Sequence, residues 1–231
     1  MNMKKTTFLS IVLLVGLPVY AQVDENQTGA WYMYFYNHQF KNSKWGIQGD
    51  IQHRDWQILG DSEQLLVRSG LTFKPKETNA LFTLGLANIT SGAFGDSDAT
   101  SNENRLYQEA LLPQKIGKRF LLTHRFRFEQ RFVENQDFRT RYRYNLFINV
   151  PFNSTDLRPK TLYAAFYNEL FINGESTIAN NKSVELFDRN RTYLGLGYVL
   201  NPEIRFQLGY MNQTTNTWTK GQLQFSMHHN F

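Results

Sequence analysis

Apolar and polar residues alternate along most of this chain with a period of two, the spacing that places residues i, i+2 and i+4 on one face of a β-strand. Trp45, Ile47, Gly49 and Ile51 alternate with Gln48, Asp50, Gln52 and Arg54, and Leu65, Val67, Leu71 and Phe73 with Arg68, Thr72 and Lys74. The longest run sets Phe120, Leu122, Phe126, Phe128 and Phe132 against Arg119, Thr123, Arg125, Arg127, Glu129 and Arg131. Soon after it, Tyr142, Tyr144, Leu146, Ile148 and Val150 oppose Arg139, Arg141, Arg143, Asn145 and Asn149. Further segments cover 162–172, 194–200 and 204–210, and the chain closes with Leu223, Phe225, Met227 and Phe231 against Gln222, Gln224, Ser226, His228 and Asn230. No segment carries the period of a helix.

Turn-forming clusters separate these runs, among them Lys74-Pro75-Lys76, Asn153-Ser154-Thr155-Asp156 and Asn201-Pro202-Glu203. Two longer polar loops lie around 91–104 and 173–183. With a first segment near Gly29 to Phe40 and a less regular one near Glu103 to Leu112, the pattern gives about eleven strands. Bacterial single-chain membrane barrels have even strand numbers, so the expected count is twelve, with ten as the alternative. Strand length separates a soluble sheet from a membrane barrel: soluble strands average about 5 to 6 residues, whereas a tilted strand crossing hydrocarbon needs about 9 to 11. Most segments here are of the longer kind. The pattern therefore predicts an all-β fold, a single transmembrane antiparallel up-and-down β-barrel with its apolar face outward.

The ends and the composition fit that reading. Lys4 and Lys5 precede an apolar run from Phe8 to Tyr20, and the small residues Val19 and Ala21 stand three and one before Gln22. This reads as a signal peptide over residues 1–21, cleaved after Ala21, with the barrel domain over 22–231. The run is shorter than the roughly 20 residues of a membrane-spanning helix. The chain holds 19 Phe, 12 Tyr and 4 Trp at a mean hydropathy of -0.48, which calls for burying many rings without long apolar runs. Its 25 Lys+Arg and 20 Asp+Glu give +5, and losing the two leader lysines leaves about +3, too mild a charge to favour nucleic acid. The absence of cysteine removes disulfide scaffolds, Cys-ligated metals and lipoprotein anchoring from consideration.

The polar faces carry the candidate chemistry. Arg125, Arg127, Glu129, Arg131, Arg139, Arg141, Arg143 and Glu169, with Arg189 and Arg191 further on, are expected to share the barrel lumen. Planar guanidiniums pair and stack well in a crowded interior. Paired with carboxylates they would fill it; in excess they would favour anions in a narrow pore. Leu223, Phe225, Met227 and Phe231 resemble the C-terminal signal that barrel-assembly machinery reads, which with outer-membrane lipid is the expected partner. Expected localisation is the outer membrane. Trp45, Trp56, Tyr142, Tyr198 and Trp218 are candidates for interfacial girdles.

The stretches His124-Arg125-Phe126-Arg127-Phe128-Glu129-Gln130-Arg131-Phe132, Arg139-Thr140-Arg141-Tyr142-Arg143-Tyr144, Tyr167-Asn168-Glu169-Leu170-Phe171, Asp188-Arg189-Asn190-Arg191, Gly195-Leu196-Gly197-Tyr198 and Leu208-Gly209-Tyr210-Met211 resemble the domain of unknown function numbered 2490, a family of uncharacterised outer-membrane barrels. The resemblance implies location and fold, and brings no catalytic residues, metal or cofactor. A hydrolase-like barrel enzyme and a secreted soluble barrel remain as alternatives. His38, His53, His124, His228 and His229 show no spacing that marks a catalytic or metal site, and Asp96 and Asp98 lack the other ligands of a calcium loop.

Overall fold

A computed structural model describes residues 24–95, 97–179 and 182–231. The expected signal peptide lies outside these residues. The strands are β1 (Gly29–Gln39), β2 (Trp45–Asp55), β3 (Ser62–Phe73), β4 (Leu81–Gly92), β5 (Thr100–Ile116), β6 (Phe120–Val133), β7 (Arg139–Pro151), β8 (Leu162–Asn173), β9 (Thr177–Ala179), β10 (Lys182–Ser183), β11 (Phe187–Val199), β12 (Ile204–Thr214) and β13 (Thr219–Asn230). The short pair β9 and β10 forms a separate two-stranded hairpin in the loop between β8 and β11. The other eleven strands close into one barrel in which each pairs with its neighbour in sequence and β13 returns to β1.

The closure corrects two expectations. The barrel has eleven strands, not twelve or ten, and it is not antiparallel throughout: β1 and β13 run parallel, from Gly29 opposite Gln222 to Asn37 opposite Asn230. The second fact follows from the first, because alternating directions around an odd ring leave the first and last strands codirectional. The segments named from alternation pass over β4, whose Phe82, Leu84 and Leu86 also face outward, and the even-number regularity of bacterial barrels shifts the count from about eleven to twelve. The seam is continued at its end by the Phe231 amide, which donates to the Asn37 carbonyl at 3.0 Å.

Register carries one face inward all the way round. Asp50 stands opposite Arg68, Arg105 opposite Arg131, Glu129 opposite Arg141, Arg191 opposite Glu169 and Trp31 opposite Gln224. These residues are buried, while their sequence neighbours Ile51, Val67, Phe132 and Tyr142 are exposed. The outer face is the apolar one: Leu84, Leu194, Leu196 and Leu208 are each 55 to 65 % exposed. With strands about 4.8 Å apart and tilted by about 40°, eleven strands give a backbone radius of about 11 Å, so long side chains from opposite walls approach one another across the interior.

Glycines open room for interior rings. A Cβ on Gly197 would lie 2.1 Å from Tyr163 Cζ, and one on Gly85 would lie 2.4 Å from Tyr107 Cζ. Tyr163, Tyr193, Trp31 and Met211 form the largest apolar cluster of the interior. Gly117, at φ 56°, supplies the left-handed residue that the three-residue turn between β5 and β6 requires.

Candidate functional site

Each interior carboxylate on the β5–β8 wall is gripped by more than one cation. Glu129, 1 % exposed, accepts from Arg141 Nε at 2.9 Å and Nη2 at 2.7 Å through Oε2, and from Arg143 Nη1 at 2.6 Å through Oε1. Arg105 and Arg127 approach the same carboxylate at 3.8 and 3.9 Å. Glu103 binds Arg105 through both oxygens, at 2.6 and 2.7 Å, and also takes both Nε and Nη2 of Arg131. Glu109 accepts from Arg127 at 2.7 Å and from Gln48 at 2.9 Å, while Glu169 Oε1 accepts from Arg125 at 2.7 Å and Arg143 at 2.8 Å. Asp188 joins Arg141 at 2.9 Å to Arg189 at 3.1 Å, and Asp50 holds Arg68 at 2.8 and 3.0 Å. These are charge-assisted bonds, several of them two-pronged, which fix side-chain geometry as well as charge.

All ten lumen residues expected from the sequence lie on the inner wall. Arg125, Arg127, Glu129, Arg141, Arg143 and Glu169 form the connected centre; Arg131 joins through Glu103, and Arg189, with 28 % of its side chain exposed, through Asp188. Arg139 and Arg191 make no ion pair among the described residues. Sequence reasoning left Glu103, Arg105 and Glu109 out of the site, along with Asp50, Arg54 and Arg68, whose parity already marked their polar face. The β5 residues were obscured because Tyr107 points inward while Asn104 and Gln108 point outward, so alternation breaks down on both faces.

Across the interior the chemistry changes. The inward faces of β1, β12 and β13 carry Trp31, Met33, Gln213, Gln222, Gln224 and Ser226 and no carboxylate. Of twelve interior arginines, eight pair with six carboxylates; Arg54, Arg139, Arg191 and Arg205 remain without one among the described residues. A cavity of about 580 Å³ runs between the two walls, lined by Glu63 and Ser91 near one end and by Asn149 and Asn230 near the other.

Two histidines meet a Ser or Asp side chain, which the sequence pattern does not reveal. His228 Nε2 lies 3.3 Å from Ser226 Oγ inside the barrel, and His53 Nε2 lies 2.8 Å from Asp55 Oδ1 at a strand end. The Ser226–His228 pair makes a poor nucleophile and base: among the described residues no carboxylate orients the ring, and an imidazolium formed there would stand beside Arg205. His124 points outward, bridging Tyr144 Oη at 2.8 Å and Gln114 Oε1 at 3.2 Å. Among the described residues no group of three or more His, Cys, Asp or Glu side chains is placed to hold a metal ion.

Leu223, Phe225, Met227 and Phe231 share the outer face of the last strand, with Phe225 and Phe231 45 and 53 % exposed. A closed barrel, apolar outside and charged within, is thus the class that fold and site define. The chain belongs to the family described as protein of unknown function (DUF2490), whose model matches residues 28–224. It is also similar, at 28 % identity over 178 residues, to an uncharacterized protein of Methylorubrum extorquens, the match covering 74 % of this chain and 72 % of that protein.

Proposed function

We propose that this protein is an outer-membrane β-barrel whose charge-filled interior leaves a narrow, anion-preferring passage. The observation that carries the reading is the inversion of polarity: leucines and aromatic rings stand exposed around the outside while arginines and carboxylates are buried inside. A soluble protein rarely exposes a contiguous apolar surface beyond a few hundred Å², whereas lipid requires such a belt and a sheet without edges. Strands of 11 to 17 residues in the barrel are long enough to cross hydrocarbon.

Two features support the passage. The cavity extends along the barrel, and interior arginines outnumber interior carboxylates, which lowers the barrier for anions and raises it for cations. The lattice occupies most of the lumen, so conductance is expected to be small. Purified protein in planar bilayers under a salt gradient tests this: a reversal potential of anionic sign, reduced by Arg127→Ala, is the expected result. Silence across repeated insertions would refute the passage and leave a sealed barrel.

A further inference from the structure

Arg54 and Arg191 approach one indole ring. The guanidinium carbon of Arg54 lies 3.8 Å and that of Arg191 lies 4.7 Å from the centroid of Trp31, which is 3 % exposed. Both arginines are buried, at 6 and 8 % exposure, and neither has a carboxylate within ion-pairing distance among the described residues. Arg54 is held by neutral acceptors, Gln52 Oε1 at 2.6 Å and Gln64 Oε1 at 2.6 Å. Arg191 donates only through Nε, to Gln213 Oε1 at 2.6 Å, and its two terminal nitrogens bond nothing among the described residues. Beside Trp31 on the neighbouring strand, Gln224 accepts from Tyr167 Oη at 3.0 Å, while its Nε2 is a buried donor without a partner among the described residues. All of these groups line the cavity except Gln213.

Two cations on one ring repel, and their contact with the ring offsets only part of the cost of taking guanidinium out of water. The β5–β8 wall meets the same cost with carboxylates. Here β1, β12 and β13 supply none; Glu63 is bound instead to Trp31 Nε1 at 3.4 Å and to Gln222, and Glu169, opposite Arg191 in register, is taken by Arg125 and Arg143. What the site offers is a convergent set of unused donors with surplus positive charge, facing a cavity of solute size. We propose that Arg54, Arg191 and Gln224 around Trp31 form a binding site for a small oxyanion of the phosphate or sulfate class. The oxyanion is either free or the head of a small organic phosphate. Guanidinium forks match such oxygens in pairs. The site would receive its ligand through the passage proposed above and rests on that reading for access.

The test uses the full barrel in detergent micelles, with Trp45, Trp56 and Trp218 replaced by Phe so that Trp31 is the sole tryptophan and can be excited selectively at the red edge of the indole band. Inorganic phosphate is titrated against chloride at constant ionic strength, and glycerol 3-phosphate in a parallel series separates the free ion from an organic phosphate. A saturable change in Trp31 emission is expected, weakened at least tenfold in Arg191→Gln and unaltered in Arg119→Gln. Gln224→Leu, which leaves both charges in place, is expected to weaken binding several-fold and provides the reading should Arg191→Gln fail to fold. Without phosphate, Arg191→Gln should melt no lower than the parent, since it removes an uncompensated charge. A linear response, or saturation unchanged in both Arg191→Gln and Gln224→Leu, would overturn the site. Saturable binding in a barrel silent in bilayers would keep the site and remove the passage; anionic currents without saturable binding would do the reverse.

Discussion

Replacing Glu129 by Gln perturbs the centre of the lattice while changing shape very little. The carboxylate is 1 % exposed, accepts three hydrogen bonds from Arg141 and Arg143 at 2.6 to 2.9 Å, and has Arg105 and Arg127 within 4 Å. The substitution leaves four guanidiniums facing one another across an amide whose NH2 group is itself a donor. Removing one partner of a buried pair typically costs about 3 to 5 kcal/mol. At about 2 to 4 °C per kcal/mol for a chain of this size, that corresponds to a fall in Tm of roughly 6 to 20 °C. The assay is thermal loss of β-sheet ellipticity in detergent micelles, with Asp156→Asn as control because its pair with Lys115 is solvent-exposed and worth little. The Glu129→Gln/Arg143→Gln double variant restores charge balance and should recover roughly 0.5 to 3 kcal/mol relative to additivity. A Glu129→Gln melt within about 2 °C of the parent would refute the claim that this lattice holds the barrel together.

Leu86→Arg separates a membrane belt from a soluble surface: Leu86 stands 66 % exposed in the middle of β4, so in lipid vesicles the change should cost about 2 to 4 kcal/mol, and a cost near zero in urea titrations would contradict a lipid-facing position. Gly197→Ala drives a Cβ into the buried Tyr163 ring and should destabilise by about 1 to 3 kcal/mol, read from the same melts. Deleting Phe231 removes the last outward ring and the amide that bonds Asn37; membrane levels should drop further than for any lumen variant, and normal levels would count against an assembly role. In the loop after β7, a hydrogen bond from Lys115 holds the Asp156 carboxyl below its usual value. That tether therefore contributes above the ordinary aspartate range and is lost as pH falls through the lowered value, and Lys115→Gln should return the carboxyl midpoint, followed by NMR, to normal.

How much of this was legible in sequence depended on whether the two faces of a strand differ. In β6 the phenylalanines and in β7 Tyr142 and Tyr144 face out while the arginines face in, Phe147 being the inward exception, so parity alone places Arg125, Arg127, Arg139, Arg141 and Arg143 on the inner wall. In β1, Trp31, Met33 and Phe35 point inward while Tyr32, Tyr34 and Tyr36 point outward, and no alternation exists to read. The anion site escaped for that reason, since its ring lies on that strand and its arginines on β2 and β11 are brought together only by closure. The pairing of Glu129 with Arg141 is a register fact; sequence offered the charges but not which would meet. The pattern suggests about eleven strands but its named segments miss β4, and the parallel seam is what an odd count requires.

The most direct test is where in the cell the protein resides. Cell envelopes separated on a density gradient and washed with alkaline carbonate should retain the full-length protein in the outer-membrane fraction, resistant to extraction. Recovery in the periplasm or the medium, or release from membranes by the wash, would contradict a lipid-embedded barrel and with it the passage its interior is proposed to form.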